Sequence, residues 1–167
     1  MSLDLTNAAF NGDLDTVRSL AEAGADVNAP SEHGAGTLLT FHPKVTEYLL
    51  SKGADANLGR TESMETPLHH GLAGAGDAEL IQLLIDHGAD VNAKTKPGIS
   101  SFNFYGSTPT RCETPLHRAA AFASIEVVDI LLKAGADRTI GDVNGDSPHN
   151  WAGWHRRPKE LVELLRP

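Results

Sequence analysis

The sequence predicts an all-α solenoid in which short helix–turn–helix units stack along the chain, with hairpin tips between them and one long loop insertion. Three observations carry this. The tripeptide Gly-Ala-Asp recurs at residues 24–26, 53–55, 88–90 and 135–137, at intervals of 29, 35 and 47 residues. Self-similarity scattered around a period of about 33 is the mark of a repeat architecture. Each copy also follows an apolar run with helical spacing, and Thr-Pro-Leu-His stands 22 residues ahead of Gly88 and 21 ahead of Gly135.

Taken in order, the apolar runs are Leu14-Val17-Leu20, Val45-Tyr48-Leu49-Leu50, Leu80-Ile81-Leu84-Ile85 and Val127-Val128-Leu131-Leu132. Their i, i+3, i+4 spacing lays one apolar stripe on each helix. The glycine of Gly-Ala-Asp falls just past the last apolar residue, where a left-handed C′ residue ends a helix and a Cβ is penalised. Thr66-Pro67 and Thr114-Pro115 read as helix starts, with threonine as cap and proline at the first helical position, where its missing N–H costs nothing. Counting back 21 residues from Gly24 reaches Leu3, so the first unit begins directly at its inner helix. Only 16 residues separate Thr37 from Gly53, and His42-Pro43 interrupts them, so the second unit has a stunted inner helix. Ser147-Pro148-His149-Asn150-Trp151-Ala152 is a degenerate last start. A single helix pair cannot bury its stripe, so neighbours share one core. Leu131→Ala at a predicted core position costs about 2–5 kcal/mol.

Thr114-Pro115-Leu116-His117-Arg118-Ala119 resembles the ankyrin signature T-P-L-H-x-A at every position, and Thr66-Pro67-Leu68-His69-His70-Gly71 departs from it only at Gly71. The resemblance covers nearly the whole chain. It implies an ankyrin-repeat solenoid forming a single domain over residues 1–167, with units at about 1–29, 30–61, 62–94, 113–141 and 142–167 and an insertion at 95–112. The outermost units depart from the pattern because each has one face toward water. The resemblance also implies that the histidines of the Thr-Pro-Leu-His motifs are structural and hydrogen-bond across the turn to backbone.

Composition narrows the function classes. With 40% hydrophobic and 22% charged residues the chain is globular in type, not disordered. No apolar run approaches the roughly 18–20 residues of a membrane span, and residues 1–10 carry no secretory pattern. The net charge of −8 offers no global positive field for nucleic acid or anionic lipid. Cys112, the only cysteine, excludes an internal disulfide and a Cys₄ zinc site and fits a reducing compartment. The expectation is a cytoplasmic monomer with no cofactor and no nucleic-acid or membrane partner.

Motifs for chemistry are absent or mismatched. There is no Walker loop, G-x-S-x-G elbow or H-E-x-x-H pair. Gly74-Ala75-Gly76 begins like a dinucleotide fingerprint but has Glu79 where the third glycine belongs. Asp142-Val143-Asn144-Gly145-Asp146 has its glycine too early for a calcium loop, and its register through Pro148 is that of an ankyrin hairpin tip. Asn28, Asn57 and Asn92 each follow a leucine by eight residues (Leu20, Leu49, Leu84), a context that resembles asparagine hydroxylation sites of animal ankyrin proteins. The favoured reading is that each orders its loop through local backbone contacts. A rival reading makes the chain a metalloprotein or hydrolase using His70, Cys112, His117 and His155, although adjacent His69 and His70 point apart on a helix.

The resemblance implies a non-catalytic module that binds a protein partner on a concave face of inner helices and hairpin tips. The usual variable positions map to Phe10 and Asn11, to Ala121 and Phe122, and to Trp154 and His155. Aromatic groups of this kind are enriched in interface hot spots. The insertion, rich in glycine and proline, adds Phe102, Phe104 and Tyr105, and long loops in compact folds are usually functional or disordered. Arg111, Arg118, Arg156 and Arg157 are expected to flank the groove. The predicted partner-binding set is therefore Phe10, Asn11, Phe102, Phe104, Tyr105, Arg118, Phe122, Trp154 and His155. Deleting residues 99–110 is expected to spare folding and abolish capture. A regulatory subunit that occludes an enzyme is the alternative within the same class.

Overall fold

Most of the helices begin behind a capping side chain, which accepts from a free N–H of the first turn, or with a proline, which has no N–H to satisfy. The computed structural model describes residues 4–74, 76–100 and 109–167. Along these the helices are α1 (Leu5–Phe10), α2 (Leu14–Glu22), α3 (Pro43–Ser51), α4 (Pro67–Gly71), α5 (Ala78–Asp86), α6 (Pro115–Phe122), α7 (Ile125–Lys133), α8 (Pro148–Trp154) and α9 (Lys159–Leu164). Asp13, Asp77 and Ser124 accept from the N–H of the residue three positions on, at 3.0, 3.1 and 3.3 Å. Pro67, Pro115 and Pro148 occupy the first helical position behind Thr66, Thr114 and Ser147.

The helices ending before Gly-Ala-Asp stop as their sequence predicts. Gly24, Gly53, Gly88 and Gly135 have φ of 93°, 87°, 83° and 91°, the left-handed region that favours glycine. Helices α1, α4, α6 and α8 form an inner layer and α2, α3, α5, α7 and α9 an outer one. Pairs pack within units (α1 on α2, α4 on α5, α6 on α7, α8 on α9) and between them (α2–α3–α5–α7 and α4–α6–α8). One buried apolar cluster runs from Leu5 to Leu165 and includes Leu131, which is wholly buried. Among the described residues there is no strand, only isolated bridges at Ala35–Arg60 and Ser100–Pro109.

The second unit has no inner helix at all. Residues 37–42 run as turn and extended backbone, with the Thr37 hydroxyl donating to Val27 O at 2.6 Å. Pro43 accounts for the break: its ring excludes the preceding residue from the helical region, and His42 sits at φ −111°, ψ 101°. Helix α3 therefore joins α2 to α5 without a companion in the inner layer.

A row of side-chain amides straps the outer loops together. Asn28 Nδ2 donates to Gly53 O at 2.9 Å while its Oδ1 accepts from Asp55 N–H at 2.8 Å. Asn57 does the same to Gly88 O and Asp90 N–H at 3.0 and 2.7 Å, and Asn92 to Gly135 O and Asp137 N–H at 3.1 and 2.8 Å. Each asparagine thus orders the next unit's loop. The fourth copy has Thr139, whose hydroxyl turns back to Asp137 at 2.7 Å.

Candidate functional site

Among the described residues, three large aromatic side chains on the inner layer remain open to solvent: Phe10 (48% exposed), Phe41 (45%) and Trp154 (54%). Phe10 ends α1, and Phe41 lies on the segment that replaces the missing inner helix. Both approach His70 of α4, Phe41 stacked at 4.2 Å between ring centroids and Phe10 tilted at 6.3 Å. At the other end, Trp154 closes α8 beside the Arg111 guanidinium, 5.7 Å from the ring centroid. Phe122 is half-buried and meets His155 edge-on at 4.8 Å, while Asn11 and His155 are exposed. Phe102, Phe104 and Tyr105 lie outside the described residues.

Arg118 requires a correction. It does not flank a groove; its side chain is 1% exposed and sits between two carboxylates. Nη2 lies 2.6 Å from Glu65 Oε1 and 2.6 Å from Glu113 Oε1, and Nη1 donates to His69 O at 3.0 Å. A guanidinium carries five fixed donors, which suits it to a buried ion cluster of this kind. Glu113 also accepts from the Thr95 hydroxyl at 2.7 Å and the Arg111 N–H at 2.6 Å. Burial opposes its ionisation, but the Arg118 charge and these donors hold the carboxyl down at about 2. Because Thr95 and Arg111 stand at the two ends of the insertion, Glu113 closes its base. The neck beyond is zipped by Gly98 N–H to Thr110 O and Thr110 N–H to Ile99 O, both 2.8 Å.

The other arginines divide their work. Arg157 donates to Ala121 O at 2.9 Å and to Ala123 O, fastening the chain after α8 to the end of α6. Arg111 is one-third exposed and pairs through Nε with the fully buried Asp142 carboxylate at 3.1 Å. Asp142 further accepts from Trp151 Nε1 at 3.2 Å and from Asn144 and Asp146 N–H at 2.8 and 3.1 Å. Its oxygens are committed to a hairpin tip, as the Asp142–Pro148 register predicts.

The histidines of the rival reading are placed apart in function. His117 has Nδ1 beside the Thr114 N–H and hydroxyl at 3.1 and 2.9 Å, with Nε2 2.9 Å from Asp146 O. His69 repeats this with Thr66 at 3.3 and 2.9 Å and with Glu113 O at 3.1 Å. Each ring staples its own helix start to the next hairpin tip, the structural role that the motif implies. Burial, reinforced by the Arg118 charge, pushes His69 down to about 3. Burial and the Arg60 charge do the same to His70, and burial lowers His117. His155 is lowered by partial burial and by Arg157. Among the described residues no group of three His, Cys, Asp or Glu side chains comes together to hold a metal ion. None of the described helices is long and apolar enough to cross a membrane.

Two features escaped sequence reasoning. Phe41 was hidden because its segment was read as a short helix. Glu65 and Glu113 had a visible signal, since each stands immediately before a Thr-Pro-Leu-His motif.

Comparison with known proteins supplies the context for this geometry. Two models described as ankyrin repeats match residues 5–95 and 70–132. The human palmitoyltransferase ZDHHC13 is 26% identical across 98% of this chain and 35% of its own length. Human ankyrin repeat and SOCS box protein 16 is 30% identical across 89% of the chain and 39% of its own length. The mouse B-cell lymphoma 3 protein homolog is 29% identical across 71% of the chain and 22% of its own length. The chain thus spans little more than a third, at most, of each of these three relatives.

Proposed function

The chain belongs to the ankyrin-repeat family, and from that premise we propose that it is a non-catalytic module that binds a protein partner across its inner-layer face, with the 95–112 insertion contributing. The family's repeats generally serve protein–protein interaction. The observation that carries the reading is the exposure of Phe10, Phe41 and Trp154 on the inner layer, while the outer-layer stripes are mostly buried, with Leu14, Leu20, Ile85 and Leu132 half-buried and Ile125 exposed. Stiff aromatic rings supply large contact area at low entropic cost and dominate hot spots.

Affinity capture from cells of the source tests it, comparing the intact chain with a Phe10→Ala/Trp154→Ala variant and with a variant lacking residues 101–108. The deletion joins Ser100 to Pro109, which already face each other in an antiparallel bridge. Matched thermal melts establish folding. Loss of the same captured proteins by both variants is the expected result; equal recovery from all three baits overturns the proposal.

A further inference from the structure

The charge of the chain is divided between its layers. Inner helices α1, α4, α6 and α8 contain no aspartate or glutamate, whereas outer helices α2, α3, α5, α7 and α9 contain Asp15, Glu22, Glu47, Glu79, Asp86, Glu126, Asp129, Glu160 and Glu163. The excess of −8 is therefore carried outside the inner helices. At the C-terminal end of the inner layer the exposed charges are instead cationic. Arg156 follows α8 and is exposed, and Arg111 lies against the exposed Trp154 indole.

This end is also built rather than incidental. Arg111 is fixed by the buried Asp142 carboxylate and lies 5.7 Å from the ring centroids of both Trp151 and Trp154. Arg157 locks the exit of α8 to the end of α6, which holds the Phe122–His155 pair in register with Trp154. The result is a flat indole with the Arg111 guanidinium 5.7 Å from its centroid and the exposed Arg156 two residues further along the chain, at the end of a helix free of carboxylates. We infer that this shelf, formed by Arg111, Trp154 and Arg156 beside Phe122 and His155, is a docking site for an acidic peptide segment of a partner protein. A bulky apolar side chain of the segment seats on Trp154, and neighbouring aspartates or glutamates face Arg111 and Arg156. Charge complementarity decides the chemistry: a basic segment gains nothing from the shelf and, on approach, meets no carboxylate on these helices. Single-stranded nucleic acid also stacks on aromatic rings, but the overall negative charge repels its backbone.

The inference rests on the inner-face reading above, and the experiment separates the two. The immobilised full chain is used to select from a random 12-residue peptide display library, with fluorescein-labelled oligo-dT as a separate probe. Enriched peptides are expected to combine Asp or Glu with Phe, Leu or Trp. Their affinity is expected to fall about tenfold in Trp154→Ala and severalfold in Arg156→Glu, and to weaken with salt. Circular dichroism confirms that both exposed-site variants fold. Neutral or basic peptides that still depend on Trp154 or Phe10 would sink the acidic-segment inference and leave the inner-face reading standing. Peptides indifferent to every inner-face variant, or no enrichment at all, would sink both. Trp154-dependent binding of oligo-dT would replace the peptide with a nucleic acid.

Discussion

Arg118 reaches across 53 residues of sequence to place Nη2 2.6 Å from Glu65 Oε1, with both side chains 1% exposed. The contact joins the inner helix of one unit to the hairpin of the unit before it, and Glu113 completes the cluster from the base of the insertion. Two buried carboxylates share one guanidinium, which makes the arginine the critical member.

Replacing it tests that asymmetry. Arg118→Met removes the guanidinium that both carboxylates share, leaving Glu65 the more distant Arg60 at 4.0 Å and Glu113 its neutral donors, and is expected to cost about 3–5 kcal/mol. Glu65→Gln leaves Glu113 to balance the arginine and is expected to cost less. Urea unfolding midpoints measure both; a loss below about 1 kcal/mol in Arg118→Met would show that the cluster is solvated and weak.

Acid should loosen the stack in two stages. His69 and His70 bind protons near 6.5 when unfolded but only near 3 when folded. Below the unfolded value the unfolded chain takes up protons that the folded chain refuses, so stability falls as the pH drops from about 6.5 toward 3. At pH 5 the penalty is on the order of 1–2 kcal/mol per histidine. Glu113, lowered from 4.5 to about 2, adds its own loss as the pH falls through that lower range. Thermal melts from pH 8 to 4 should show a steady decline beginning near 6.5, with a shallower slope throughout in His70→Gln. A level profile down to pH 5 would contradict the burial of these rings.

The amide straps predict a graded series at Asn57. Asn57→Ala loses both bonds to the third unit's loop and is expected to cost about 1–2 kcal/mol. Asn57→Asp keeps the acceptor for Asp90 N–H but sets a carboxylate oxygen against Gly88 O, so it should be no more stable than alanine at pH 7 and gain on the alanine variant at low pH. Melting temperatures in the two variants at pH 7 and 4.5 decide this. An alanine variant as stable as the parent would make the strap ornamental.

Much of the architecture was legible because its signals are local. An apolar stripe, a left-handed glycine and a Thr-Pro start each act within a few residues, and α2, α3, α5, α7, α4 and α6 appear where those signals place them. The exposure of Phe10 and Trp154 follows from the register of the repeat. Arg118 was misplaced for the opposite reason. A charged residue is taken as solvent-facing unless its partners are known, and of the two here Glu113 is five residues away but Glu65 lies a full unit and an insertion away. Phe41 escapes a reading by pattern because Pro43 bars His42 from the helical region, and the few residues from Thr37 to that stop form no helix at all.

That missing helix sets how the solenoid comes apart. Cooperative melting of a linear array depends on the coupling across each joint, and the joints around residues 30–53 are spanned by the outer row alone (α2–α3 and α3–α5), where the third and fourth units meet through both rows (α4–α6 and α5–α7). On the thin side Leu38 enters the shared core, the Thr37 hydroxyl donates to Val27 O, and the His70 ring meets Phe41 and Phe10. The pair α1–α2 is therefore expected to separate first as the array unravels, and the aromatic groups best placed to greet a visitor there double as its latch.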